Sequence, residues 1–305
     1  MRNTTMTLPT AFPAVMWGWK ELLGLCKINV VAVMLVCTAV GMALSTSGLP
    51  PFGNVVYGLL GIGLASCGAA AFNHIIDRRL DVLMSRTSHR PIASKRLPVK
   101  IAIIWASLLS FAGIFLLAWQ VNLLVALLTA ASLIGYALIY TAFLKRATPQ
   151  NIVIGGVAGA APPLLGWVAV TGQITPEPLL LMLIIFAWTP PHFWALAIHK
   201  YEDYARAGIP MLPVTHGIPF TRLQIWLYGW LTVLTTLMPV MIGMSGPLYL
   251  FVVLCLNARF MFWNWKVWRG QDAQAPIKAF WFSIRYLLGV FGALLLDHYA
   301  AALAW

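Results

Sequence analysis

Polar residues are so sparse along this chain that apolar positions merge into long runs separated by short basic loops. Nine runs, 28–48, 54–76, 99–119, 122–142, 150–171, 177–198, 224–244, 247–268 and 279–300, are long enough to cross a hydrocarbon core of about 30 Å, each as a helix of about twenty residues. Turn signals separate most of them: Gly48-Leu49-Pro50-Pro51, Thr148-Pro149, Thr175-Pro176 and Gly246-Pro247. The third and fourth runs meet around Gln120 to Asn122. One uninterrupted helix across both would overrun the bilayer, so a helical hairpin is predicted. Residues 1–27 lack the compact apolar run and small-residue cleavage site of a removed signal peptide. Trp17, Trp19, Lys20 and Lys27 suit an interfacial, cytoplasmic lead-in to the first span, and 28–305 is expected to form one all-α membrane domain.

Composition agrees: 61% of residues are hydrophobic and 9% charged, against about a quarter charged in soluble domains. The net charge of +12 could suggest nucleic acid. The basic residues, however, lie in loops between apolar spans, where topology and anionic lipid account for them, so no nucleic-acid partner is expected. With the N-terminus inside, the inner loops hold Arg78, Arg79, Arg86, Arg90, Lys95, Arg96, Lys100, Lys145, Arg146, Lys200, Arg206, Arg222, Lys266, Arg269 and Lys278, and the outer loops hold no Lys or Arg. A multi-pass protein of the cell inner membrane, N-terminus cytoplasmic and C-terminus outside, is predicted. Cys26, Cys37, Cys67 and Cys255 form no CxxC pair and are expected as buried thiols.

So few acids make each one informative, since charges inside a bilayer are costly and usually functional. At the end of the second span, Asn73, Asp77 and Asp81 recur every four residues and stack on one helical face with a drift of about 40° per step. Three oxygen side chains at the mouth of an apolar bundle suit Mg²⁺, which completes its shell with substrate phosphates and water. Arg86 and Arg90 follow, with guanidinium forks matched to phosphate oxygens. The alternative is a solvated helix end pairing locally with Arg78 and Arg79. A second acidic group, Lys200 to Asp203, faces the same side. Asp203 is a candidate for a second Mg²⁺ and Lys200 for a diphosphate contact, although Asp203 lacks a carboxylate four residues on. Tyr136 and Tyr140 lie one turn apart ahead of Lys145. An aromatic face can stabilise a developing allyl cation and a lysine can hold departing diphosphate, while interfacial tyrosines also serve as belt residues.

At these residues the chain resembles the intramembrane UbiA-type prenyltransferases, and within them the heme O synthase branch. Asn73, Asp77 and Asp81 match the family's first aspartate-rich motif, extended by Met84, Arg86, Thr87, Arg90 and Pro91. Leu144 through Gly156 matches a second element. Trp188-Thr189-Pro190-Pro191-His192-Phe193-Trp194, with Asp203-Tyr204 and Pro210-Met211-Leu212-Pro213, is similar to the branch's version of the second motif. The resemblance spans about residues 20–300. It implies Mg²⁺-dependent transfer of farnesyl from farnesyl diphosphate to a vinyl group of heme b. Asn73, Asp77, Asp81 and Asp203 would serve as metal ligands, Lys145 and Tyr140 as catalytic groups, and Arg86, Arg90 and Lys200 as diphosphate contacts. Heme A synthase or terminal-oxidase assembly proteins are the expected partners.

Heme would need its own contacts. His192 follows two prolines inside a span, where irregular backbone can line a cavity. It could ligate iron, orient a propionate, or bond carbonyls that Pro190 and Pro191 set free. His199, near Asp203, is a second candidate in a more interfacial position. Gly155, Gly156, Gly159 and Gly166 predict close helix contacts, and Pro162-Pro163 and Pro190-Pro191 predict bends. The expected architecture is nine transmembrane helices around a central cavity opening to the cytoplasmic side. Competing readings are a prenyltransferase of quinone precursors and a cation-coupled transporter. A transporter calls for charges near the bilayer middle, whereas these acids gather at one face.

Overall fold

The computed structural model describes residues 18–303, which form an all-helical fold with no strand among them. The interfacial reading of residues before Gly18, Trp17 included, lies outside the described residues. In order, the helices are α1 (Trp19–Leu25), α2 (Ile28–Leu44), α3 (Phe52–Asp81), α4 (Val99–Gln120) and α5 (Leu123–Ile134). A π-helix (Gly135–Leu144) carries α5 into α6 (Lys145–Ala147), followed by α7 (Asn151–Ala160), α8 (Pro162–Thr171), α9 (Pro176–His199) and α10 (Tyr201–Arg206). The chain closes with α11 (Leu212–Thr215), α12 (Gly217–Met241), α13 (Pro247–Arg269) and α14 (Ala275–Leu303). Among the described residues, eight segments are long and apolar enough to cross a membrane, α5–α6 and α7–α8 each counting once. The pair α1 and α2, bent by 53°, brings the total to nine.

The boundaries differ from the hydropathy pattern where polar residues continue a helix. α3 runs on to Asp81, five residues past the apolar run, which keeps Asn73, Asp77 and Asp81 on one continuous helix. The hairpin forms as expected: the Asn122 side chain accepts a hydrogen bond from the Val125 amide (2.8 Å) and caps α5. α2 and α8 touch backbone to backbone, because a Cβ on Gly41 would strike the Pro163 carbonyl and one on Gly166 the Thr38 carbonyl. Gly159, also expected at a close contact, faces open space instead.

Large side chains sort inside and out as lipid requires. Tyr249, Phe260, Tyr286 and Phe291 are sealed between α9, α12, α13 and α14, while Phe111, Phe115, Trp119, Phe251 and Leu296 face outward. An apolar outer surface of this extent belongs against lipid rather than water.

Candidate active site

The polar end of α3 is the most charged place in the bundle. Asn73, Asp77 and Asp81 are only 4%, 1% and 3% exposed, and carboxylates so enclosed must be paired to stay ionised. Each member of the row meets a cation from another segment. Lys27, held at a left-handed φ of 47° between α1 and α2, turns inward and its Nζ donates to Asn73 Oδ1 (2.6 Å). Lys145 Nζ donates to Asp77 Oδ2 (2.5 Å), and Arg90 Nη1 lies 2.9 Å from both oxygens of Asp81. Asn73 Nδ2 donates to Asp77 Oδ2 (3.0 Å) and Thr141 Oγ1 (3.2 Å), so the row is bonded internally. Lys27 thus does not act as the simple interfacial anchor that its place ahead of the first span suggests.

The π-helix supplies the opposite wall. Its wide turn shows in Thr141 Oγ1, which donates to the carbonyl of Tyr136 five residues earlier (2.8 Å). π-Helical turns are rare and concentrate at functional sites. This one aims Thr141 at Asn73 and Lys145 at Asp77. Tyr136 and Tyr140 stack at 5.7 Å, and the Tyr140 ring lies so close to Gly155 of α7 that any Cβ there would overlap it.

Asp77 Oδ1 is buried and has no hydrogen-bond partner among the described residues. An unpaired carboxylate oxygen in a row of three oxygen-bearing side chains is the donor set a hard divalent cation uses, so these residues fit Mg²⁺. On the N-terminal side of the row along α3, a groove of about 290 Å³ runs between α2 and α3, lined by Ile28, Val31, Leu35, Leu60, Leu64 and Cys67. It begins one residue after Lys27 and is apolar along its length.

The second acidic group is drawn to the first through Ser85, whose Oγ lies 2.9 and 3.1 Å from the two carboxylate oxygens of Asp203. Ser85 follows Asp81 by one helical turn's worth of chain, in the stretch where the sequence advertises only its arginines. The Ser85 hydrogen bond, helped by Arg206 at 2.5 Å and by the charge of Lys200, holds the Asp203 carboxyl below the usual carboxylate range. Arg86 is exposed and stands beside Tyr204, opposing the rise that burial gives the Tyr204 phenol.

A third polar feature lies within α9. Pro190 and Pro191 have no N–H, so carbonyls one turn earlier lose their helical donors. Thr232 of α12 answers one of them: its Oγ1 shares a proton between the Ala187 carbonyl (3.0 Å) and its own Tyr228 carbonyl (2.7 Å). His192 is therefore not the group that satisfies the freed carbonyl. Its Nδ1 meets Ser283 Oγ of α14 at 2.6 Å, and its ring lies between Trp188 (4.2 Å) and Phe280 (4.5 Å). Trp188 Nε1 donates to the Ser283 carbonyl (2.9 Å). His199 is exposed at the end of α9 and makes no hydrogen bond among the described residues. Sequence pattern did not reveal Lys27, Ser85, Thr141, Thr232 or Ser283, because hydroxyls and a span-flanking lysine are unremarkable in membrane helices.

An all-helical membrane bundle in which Asp77, Asp81 and Asp203 lie buried and paired with cations around the end of α3 has the features of an intramembrane enzyme class built to receive a polyanion on an apolar tail. The chain belongs to the UbiA prenyltransferase family, which residues 34–295 match. It is 55% identical to protoheme IX farnesyltransferase 1 of Pseudomonas putida (strain W619) over 96% of this chain and 98% of that one. It is 51% identical to protoheme IX farnesyltransferase of Hahella chejuensis over 98% of each. In fold it resembles digeranylgeranylglyceryl phosphate synthase (TM-score 0.77, 16% identity, 92% of this chain and 98% of that one). It also resembles a UbiA homolog from Archaeoglobus fulgidus bound to DMAPP and Mg²⁺ (TM-score 0.66, 16% identity, 90% and 99%).

Proposed function

We propose that this protein transfers a farnesyl group from farnesyl diphosphate to a vinyl carbon of heme b, with water adding to give the hydroxyethylfarnesyl chain of heme O. The observation that carries the reading is the enclosed Asn73–Asp77–Asp81 row in contact with Lys27, Lys145 and Arg90. Relatives named for farnesyl transfer to protoheme IX, matched end to end, support the choice of acceptor.

Asn73, Asp77 and Asp81 would hold Mg²⁺, with Asp203 as ligand to a second ion. Bound there, the metal would supply positive charge to offset that growing on departing diphosphate. The chain's own cations do the rest. Lys145 and Arg90 sit where the diphosphate oxygens arrive, with Arg86 and Lys200 at the rim, and their fixed positive charge favours the departing anion over the bound ester. The tail occupies the apolar groove between α2 and α3, and the π-face of Tyr140 steadies the allyl cation. A cavity between the helices, opening at the basic end, keeps bulk water from capturing that cation first. His192, rather than the exposed His199, meets heme. The basic end faces the cytoplasm, an orientation that the Lys/Arg bias of the loops supports. Farnesyl diphosphate, heme b and membrane lipid are the partners this reading needs, and a heme A synthase or oxidase assembly factor would receive the product.

Purified protein incubated with heme b, farnesyl diphosphate and Mg²⁺ should yield a pigment heavier by one farnesyl group and one hydroxyl group, read by mass spectrometry. Chelator should stop its formation and added Mg²⁺ restore it. Unmodified heme together with prenylation of a phenolic acid would move the chain to the quinone branch.

A further inference from the structure

His192 is 7% exposed, and nearly everything around its ring is accounted for. Trp188 covers one face and Phe280 the other, at interplanar angles of 19° and 23°, while Phe193 stands edge-on at 5.0 Å. Nδ1 is tied to Ser283. Nε2 has no hydrogen-bond partner among the described residues, yet it is not sealed away like the two unpaired ring nitrogens of His74. A single ring nitrogen is thus left on an accessible edge of an otherwise boxed imidazole.

Which nitrogen carries the proton follows from Ser283. Its hydroxyl has one proton, and its Oγ lies 2.7 Å from the Phe280 carbonyl, placed to donate there. A serine spending its proton on Phe280 can only accept from His192, which puts hydrogen on Nδ1 and a lone pair on Nε2. In the other tautomer Ser283 would donate to Nδ1 and give up the Phe280 bond, while an N–H at Nε2 would find no acceptor among the described residues. One tautomer makes both bonds and the other makes one, and an unpaired donor costs more than an unpaired acceptor. The Ser283 carbonyl meanwhile holds the Trp188 indole, so one residue fixes the tautomer and anchors one face of the box.

We infer that Ser283 is a positioning residue for the tetrapyrrole substrate: it locks His192 as the Nδ1–H tautomer, so that Nε2 offers its lone pair to the iron of heme b. The inference rests on the heme reading above and deepens it. It also accounts for a serine at this place. A ligating histidine usually gives its other N–H to a carboxylate or carbonyl, which strengthens the metal bond. A neutral hydroxyl keeps the imidazole a weaker donor, which suits an iron that arrives with substrate and leaves with product.

The test uses the full chain in nanodiscs. With ¹⁵N-labelled histidine, the His192 signal, identified by its loss in His192→Gln, should show hydrogen on Nδ1 and none on Nε2. Hydrogen on Nε2 overturns the inference. Titration with ferric heme b, followed in the Soret region, should give a histidine-ligated spectrum in the wild type. Ser283→Ala should weaken heme binding about tenfold or more while Mg²⁺-dependent binding of farnesyl diphosphate stays unchanged, and Ser283→Thr should restore heme affinity. Loss of both ligands' binding in Ser283→Ala would mark a merely structural residue and overturn the inference. If His192→Gln binds heme with the wild-type spectrum, the heme contact itself is misplaced. If His192→Gln loses that spectrum while Ser283→Ala keeps wild-type affinity, only the role of Ser283 falls.

Discussion

The acid row on α3 and the imidazole box on α9 solve opposite problems within one bundle. Asp77 and Asp81, beside the neutral Asn73, must keep charge where little water reaches. They do so by lying at a helix end, where Lys27, Arg90 and Lys145 converge from three other segments. His192 must keep a neutral lone pair available where charge would be expensive, so aromatic faces and one hydroxyl enclose it. The first site spends its specificity on counter-charges and the second on shape and one proton. In apolar surroundings a polyanion calls for groups whose charges are already balanced, and an uncharged metal contact calls for a tautomer fixed in advance.

The sharpest way to separate the two regions is Asp77→Asn. The amide keeps the size of the carboxylate and its bond to Asn73, but withdraws the negative charge paired with Lys145 and the oxygen pair available to a cation. Turnover should fall by about 10²–10³-fold, the usual scale for losing one electrostatic element of a transition state. Ferric heme should still bind with an unchanged Soret spectrum. Loss of heme binding in this variant would mean that the two regions are one site.

The regions differ as much in how far they could be read from sequence. The row is visible because all its oxygens sit on one helix at a fixed interval, so local periodicity reports a three-dimensional fact. The nine spans are visible for a similar reason: hydropathy is a property of contiguous residues. The counter-charges are not. Lys27 lies 46 residues from its partner and occupies the place of an ordinary interfacial anchor. Ser283 lies 91 residues from His192 and has no signature at all. Pro190 and Pro191 announce freed carbonyls, but that Thr232 would take one of them depends on how α12 packs. The π-helix is equally silent, since Gly135 to Leu144 reads as a continuation of α5. Gly159 shows the converse, a small residue that suggests a close contact where none exists.

A second variant tests whether the π-helix belongs to the acid site alone. Gly155→Val would place a branched side chain where the Tyr140 ring now lies, pushing the ring off α7 and disturbing the turn that carries Lys145. Misplacement of a reacting neighbour by about 1 Å can cost up to about 10²-fold in rate. A loss of about tenfold in kcat is expected, with the protein still monodisperse in detergent and the heme spectrum intact. Gly159→Val is the control: nothing lies within 4 Å of a Cβ there, so activity should hold. Equal losses in both variants would assign the effect to helix packing rather than to Tyr140.

The smallest effect expected is one of pH, and it arises only in the charged region. Asp203 is held below the ordinary carboxylate range, first by the Ser85 hydroxyl and then by Arg206. A depressed folded-state pKa stabilises the fold above the unfolded carboxylate pKa, and that contribution is lost as pH falls through the folded value. Ser85→Ala removes the leading cause. The Asp203 pKa should therefore rise, and the acid limb of both the pH–rate profile and the thermal-stability profile should move to higher pH. At neutral pH, where Asp203 stays ionised with Arg206 beside it, the rate should barely change. His192, boxed by aromatic rings and a hydroxyl, should leave the pH dependence of heme binding the same in Ser85→Ala as in the wild type. An acid limb that stays in place would show that Asp203 does not govern it, and a shift in the heme-binding profile would show that the charged and neutral regions communicate.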